Sequence, residues 1–156
     1  MSESWIRVCK DPATGLSWHC MPDFLFEDEC GLVPGPDGPT IPAETAGELH
    51  VPSMIGGMSV QVICGGAFRG CTRLTRVTIP YGVEAICGGD FFGCSALREI
   101  SLPLEADTFS IGKDAFKGCT ALRRVVIPFA TEESLATLKA CFEPTTEIVR
   151  GDMPEY

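Results

Sequence analysis

Asparagine is absent from all 156 residues. The chain therefore has no N-glycosylation acceptor, and it cannot form the stacked asparagine ladder that some solenoids use. Histidine occurs only as His19 and His50, which leaves little for general acid–base chemistry. His19 and Cys20 are adjacent, and neighbours on a strand point to opposite faces, a poor geometry for a nucleophile and its base. Phosphate-cradling glycine loops, paired-carboxylate phrases and serine elbows are missing as well. No catalytic residue is assigned, the chain reads as a non-enzyme, and no cofactor is expected. No apolar run approaches the roughly 18 residues that would span a bilayer. Met1 to Trp5 has neither the basic start nor the apolar core of a signal peptide, so neither membrane insertion nor a leader is expected from the chain as it stands.

Positive charge is scarce, with 12 Lys and Arg against 21 Asp and Glu, a net charge of −9. The deficit lies at the ends: up to Ser59 the balance is −7, after Ala130 it is −4, and the stretch between carries +2. A general nucleic-acid binder needs a dense basic stripe, so no nucleic acid is expected as a partner. A local basic patch in the middle is compatible with these numbers.

What the middle does contain is one phrase in three copies. The first runs from Ile63 through Phe68, Cys71, Leu74, Val77 and Ile79 to Pro80. The second repeats it 23 residues on, as Phe91, Cys94, Leu97, Ile100, Leu102 and Pro103. The third follows 25 residues later, as Phe116, Cys119, Leu122, Val125, Ile127 and Pro128. Self-similarity at such a period marks a stacked repeat architecture. Leu49-His50-Val51-Pro52 repeats the ending of the phrase, so a degenerate coil precedes the three, with a glycine-containing loop at Met54–Met58. Within each coil Leu74, Val77 and Ile79 alternate with Arg76 and Thr78, a strand with one face inward. Val83 and Ile86 form a second extended piece, and Ala67–Cys71 is short enough for only one tight helical turn. Stacked in register at about 4.8 Å, like positions form columns that make the core.

The flanks do not repeat. Trp5–Val8 and Leu16–Trp18 read as a strand pair joined through Asp11–Gly15, with Phe24-Leu25-Phe26 as a further apolar contact and Pro34–Pro39 as a loop. After Pro128, Thr131–Phe142 reads as an amphipathic helix with Leu135, Leu138 and Phe142 on one side. Glu147–Arg150 reads as a last strand, and Gly151–Tyr156 as a fraying end. The open ends of a solenoid need such atypical covers. The boundaries are 1–48 for the amino-terminal cap, 49–129 for the solenoid and 130–156 for the carboxy-terminal helical cap, all within one cooperative domain.

Nine cysteines are present, five at repeat positions: Cys71, Cys94 and Cys119 in one column, Cys64 and Cys87 in another. Placement by repeat points to small buried thiols filling tight corners, with disulfide bridging as the alternative. Cys9, His19, Cys20 and Cys30 supply four metal-ligand types, but without a closely spaced ligand pair; no metal is assigned.

Three outward columns could carry recognition. Arg76, Glu99 and Arg124 alternate in sign across adjacent strands, with Thr78, Ser101 and Val126 two residues along. Arg69, Phe92 and Lys117 place a ring between two cations. Tyr81, Leu104 and Phe129 put apolar side chains where a solvated turn would carry polar ones.

The phrase Ile-x-x-x-Ala-Phe-x-Gly-Cys-x-x-Leu-x-x-Val-x-Ile-Pro resembles the BspA-type leucine-rich repeat, also described from treponemal surface proteins, over Leu49 to Pro128. The resemblance implies a right-handed curved solenoid, used as a surface or secreted adhesion module in host-associated bacteria and some protists, without catalytic residues. Where such coils carry glycine after the convex isoleucine, as in Ile111-Gly112, this chain has Cys64 and Cys87 in two copies. Asp90 replaces the alanine of Ala67 and Ala115, and an opened second turn is expected there.

The reading is an α/β repeat solenoid of parallel strands: a short leucine-rich-repeat coil with a β-rich amino-terminal cap and a helical carboxy-terminal cap. It is expected to bind a protein or other macromolecule through Arg76, Thr78, Tyr81, Glu99, Ser101, Leu104, Arg124, Val126 and Phe129. The alternatives are a purely structural terminal fragment of a larger cell-surface protein and a small thiol or zinc-binding protein using the amino-terminal cysteines.

Overall fold

The structure is a computed structural model that describes residues 6–23, 25–36, 38–103, 110–127 and 132–150. Its first element is a hairpin, β1 (Arg7–Lys10) antiparallel to β2 (Ser17–Pro22), in the register Arg7↔Cys20 to Lys10↔Ser17. Asp11 sets the turn: its carboxylate accepts from the Thr14 hydroxyl at 2.7 Å and the Thr14 N–H at 3.1 Å. This is the strand pair expected from the sequence. β2 pairs in turn with β3 (Glu29–Leu32), a strand the sequence reading does not include. Leu25 and Phe26, expected as an apolar contact, are exposed instead. The Asp23 carboxylate accepts the N–H of Leu25 at 2.7 Å and of Phe26 at 3.2 Å, which holds this stretch in a surface turn. Phe24 lies outside the described residues, as do Gly151–Tyr156.

At β3 the pairing changes from antiparallel to parallel. The first sheet continues from β3 to β6 (Met58–Ile63), β8 (Ala85–Ile86) and β10 (Ser110–Ile111), each pair parallel. The second sheet runs β4 (Gly47–His50), β7 (Leu74–Thr78), β9 (Glu99–Ser101), β11 (Arg124–Ile127) and β12 (Glu147–Arg150), again all parallel. The chain visits the two sheets alternately, making a β-solenoid of about four turns with almost no helix. Met54–Met58, expected as a loop, is a two-residue Gly56-Gly57 hairpin joining β5 (Met54–Ile55) to β6.

The expected α/β class is corrected: among the described residues the one helix is α1 (Glu132–Lys139), outside the repeats. Inside the repeats each tight turn closes with three-residue-spaced hydrogen bonds alone, Arg69 N–H to the Gly66 carbonyl at 2.9 Å and Cys71 N–H to the Phe68 carbonyl at 3.1 Å. Gly70 then takes φ 75°, and its equivalents Gly93 and Gly118 take 76° and 84°. That left-handed conformation stops a helix from propagating.

Between the sheets the columns form as the repeat requires. Phe68, Phe91 and Phe116 stack with centroids 5.0 and 5.3 Å apart and planes within 10°. Non-repeat rings extend this spine at both ends, Trp18 edge-on to Phe68 at 6.0 Å and Phe142 against Phe116 at 5.0 Å. Leu74, Leu97, Val77, Ile100, Val125, Ile79, Leu102 and Ile127 complete the core, with Leu138 of α1 buried and Leu135 packed against it.

The cysteine column also ties coil to coil. The Cys94 thiol donates to the Phe68 carbonyl at 3.1 Å, and the Cys119 thiol to the Phe91 carbonyl at 3.2 Å. All nine cysteines are free, and Cys71, Cys94 and Cys119 are buried. Burial pushes the Cys71 thiol up to about 11; the hydrogen bond with Cys119, then burial, hold the Cys94 thiol well above its ordinary range. In the folded protein these two thiols should resist alkylation at neutral pH and react only on unfolding. Time-resolved iodoacetamide labelling read by peptide mass spectrometry checks this.

Asp90 does not open its turn, contrary to expectation. The turn keeps its bonds from Phe92 N–H to Gly89 and from Cys94 N–H to Phe91. The fully buried carboxylate instead accepts three backbone N–H groups, from Cys87 at 2.7 Å, Gly66 at 2.8 Å and Ala67 at 3.3 Å. One side chain thereby joins the turns of two successive coils.

Candidate functional site

The parallel register of the second sheet brings one outward position of each strand into a line. Glu48 is paired with Arg76, Arg76 with Glu99, Glu99 with Arg124, and Arg124 with Glu147. Charge alternates along the whole line. Arg76 lies 3.8 Å from Glu48 and 3.4 Å from Glu99, Arg124 lies 3.8 Å from Glu99, and His50 joins at 3.5 Å from Glu48. The sequence reading contains the three central members; Glu48 and Glu147, which it lacks, belong to the degenerate coil and to a strand beyond the last repeat. Such partly wet pairs contribute little each. Glu99→Gln, which removes the charge from the centre of the ladder, should cost under about 1 kcal/mol and lose even that as salt is raised; denaturant unfolding at two ionic strengths checks this.

Beside the ladder a groove of about 440 Å³ is lined by Glu48, Thr75, Arg76, Arg98 and Glu99. Arg98 is exposed and has no ion pair among the described residues, in contrast to Arg76 and Arg124. It is therefore a cation available to an incoming group, and the sequence reading passes over it because it stands one residue off the chosen column.

Three residues expected on this face are corrected. Thr78 is 5% exposed, Ser101 9% and Val126 9%. They do occupy the outward position, in register with one another. Short side chains in strands about 4.8 Å apart are shielded by the neighbours on either side, and each stands two residues from a long Arg or Glu of the ladder. Tyr81, at 57% exposure, does present its ring to water. Leu104 and Phe129 lie outside the described residues. On the turns, Arg69 stacks over Phe92 with its guanidinium carbon 4.6 Å from the ring centroid; this cation–π contact satisfies both partners within the chain.

The two histidines stand apart. His19 hydrogen-bonds through Nδ1 to the Thr40 carbonyl at 2.9 Å, while Cys20 on the other face of β2 lies 3.8 Å from the Cys9 sulfur. Among the described residues no three or more His, Cys, Asp or Glu side chains are arranged to hold a metal ion. No helix of the described residues is long and apolar enough to cross a membrane.

Residues 48–154 match the family model described as the BspA-type leucine-rich repeat region, six copies. No curated protein matches the chain. Among solved structures, the chain is similar to a leucine-rich cell-surface protein of Faecalibacterium prausnitzii A2-165, with TM-score 0.43 and 14% identity over 78% of this chain and 40% of that one. It is also similar to the leucine-rich-repeat protein of Treponema pallidum, with TM-score 0.41 and 19% identity over 82% of this chain and 71% of that one. The present chain thus spans two fifths of the length of the first.

Proposed function

Because the chain belongs to the BspA-type leucine-rich-repeat family across residues 48–154, we propose that it is a non-enzymatic interaction module. It takes a protein partner on the outward face of its five-stranded sheet. The observation that carries this reading is the continuous line of charge from Glu48 through Arg76, Glu99 and Arg124 to Glu147, with Arg98 beside it. Tyr81 stands exposed one residue past Pro80, which follows the end of β7. A solenoid that repeats one outward position per coil builds an extended surface from few residues. Charges on such a surface govern encounter, and an exposed aromatic side chain supplies an anchor. Thr78, Ser101 and Val126 act as the floor beneath; Leu104 and Phe129 extend the ridge begun by Tyr81.

The solenoid of residues 49–129 is right-handed and works between two covers in this reading. The hairpin of β1 and β2, with β3, covers the amino-terminal end, where Trp18 caps the aromatic spine. The segment of α1 and Phe142 covers the other, through Leu138 and the contact with Phe116. A second reading, a structural piece of a larger cell-surface protein, is favoured by one observation: the ladder's central charges already pair with one another.

Immobilised protein exposed to an extract of host extracellular matrix and cells separates the two. The interaction reading expects specific proteins to be retained, and their retention to fall several-fold as salt is raised, because exposed charges are screened within about 10 Å at moderate ionic strength. Retention of nothing beyond what an unrelated acidic protein retains supports the structural reading.

A further inference from the structure

Three thiols converge at the amino-terminal end, away from the repeat columns. The antiparallel register Arg7↔Cys20 and Cys9↔Trp18 puts Cys9 and Cys20 on the same face of the hairpin, one diagonal step apart. Their sulfurs are 3.8 Å from each other. Cys20 is fully buried, Cys30 nearly so, and Cys9 half-buried at the rim. Gly56 closes over Cys9: a Cβ added there would come within 2.7 Å of the Cys9 sulfur. That contact links the hairpin to the β5–β6 turn of the first coil and restricts where the Cys9 sulfur can go.

We propose that Cys9 and Cys20 are an oxidisable dithiol, a modification site at which a small-molecule disulfide installs a bond between β1 and β2. The chemistry balances in two exchanges. The Cys9 thiolate attacks one sulfur of the small disulfide, forming a mixed disulfide and releasing one small thiolate. The Cys20 thiolate then attacks the Cys9 sulfur, forming the Cys9–Cys20 bond and releasing the second. The small disulfide takes the two electrons, and the two protons lost by the cysteines end on the released thiols. Cys9 is the entry point, because it is the member of the pair that solvent reaches. Burial, then the neighbouring Cys20, hold the Cys9 thiol above its ordinary range, so the reaction is slow at neutral pH and quickens in mild alkali.

The bond would close a loop spanning 11 positions at the outermost strand of the seven-stranded sheet. It fastens the edge of the hairpin whose Trp18 packs against the aromatic spine. Closing a loop of this size in a domain of this length should raise the melting temperature by about 5 to 10 °C.

The test incubates the folded protein with oxidised glutathione in mildly alkaline buffer, blocks remaining thiols, and maps linked peptides without reduction. The expected result is a Cys9–Cys20 linked peptide, a protein lighter by two hydrogens, and the rise in melting temperature, reversed by dithiothreitol. Cys9→Ser should lose all three, while Cys30→Ser should keep the link. Cys9 is half-buried, so its serine variant should fold, and the mapping of the unmutated protein stands independently of any variant. A link to Cys30 in place of Cys9, a stable glutathione adduct on Cys9 with no link, or modification confined to the exposed Cys141 would each overturn the proposal.

Discussion

Phe91→Ala is expected to lower the unfolding free energy by about 3 to 5 kcal/mol, the range for deleting a large buried ring. Phe91 is the middle ring of the spine, with Phe68 at 5.0 Å on one side and Phe116 at 5.3 Å on the other, and it is fully buried. The cavity would open between two coils that cannot close on it, because their spacing is fixed by the backbone ladder and by the Cys119 thiol on the Phe91 carbonyl. Phe92→Ala, one residue along, removes a half-buried ring whose specific partner is Arg69. Its cost should stay near about 1 kcal/mol, the scale of an exposed cation–π contact plus modest burial. Denaturant unfolding of the two variants measures the contrast; equal losses would show that the turn faces the other way.

The second large effect is expected at Asp90. Asp90→Ala supplies the residue that Ala67 and Ala115 already provide in the sister coils, yet it should destabilise by about 2 to 4 kcal/mol. It strips the acceptor from three backbone N–H groups at Cys87, Gly66 and Ala67, and unpaired buried donors are costly. The pH dependence has a definite sign. Burial pushes the Asp90 carboxyl up to about 6, against the pull of its three N–H donors, whereas its ordinary value is 3.8. Between those values the folded protein holds a proton that the unfolded chain releases, so this group's contribution to stability grows as pH falls from about 6 to about 4. The gap between the unmutated protein and Asp90→Ala should therefore widen on acidification. Unfolding of both proteins at several pH values across that window measures it; a constant or narrowing gap contradicts the assigned environment.

The repeat itself was legible because its physics is periodic. Phe68, Phe91 and Phe116 recur at fixed steps, and the register of parallel strands converts those steps into a stack. The two ends of the same spine, Trp18 and Phe142, were not readable as such, since non-repeating segments bring them there and no spacing in the chain encodes that contact. β3 was missed for a related reason: Glu29-Cys-Gly-Leu32 follows an acidic run and contains glycine, and its strand character comes from parallel pairing with β6 about thirty residues on. Thr78, Ser101 and Val126 show where alternation stops being informative. Period two tells which face a side chain takes, but exposure depends on the length of its neighbours. Asp90 looked like a fault in the repeat because a one-letter comparison shows the lost alanine and not the three N–H groups awaiting an acceptor. The ladder's outer members, Glu48 and Glu147, needed the structure, because a register shift at Gly47/Glu48 and the segment containing α1 separate them from the regular spacing.

The central claim is that recognition uses the outward face of the five-stranded sheet, and a matched pair of multiple variants tests it most directly. One carries Arg76→Glu, Arg98→Glu, Arg124→Glu and Tyr81→Ser on that face; the other carries Lys113→Glu and Lys117→Glu on the turns, where both lysines are exposed. Each is compared with the unmutated protein for binding of the retained partner, after thermal melting has established that it is folded. The account expects binding to fall by at least about tenfold, some 1.4 kcal/mol, for the first set and to stay unchanged for the second. Undiminished binding by the first set, or loss confined to the second, would contradict it.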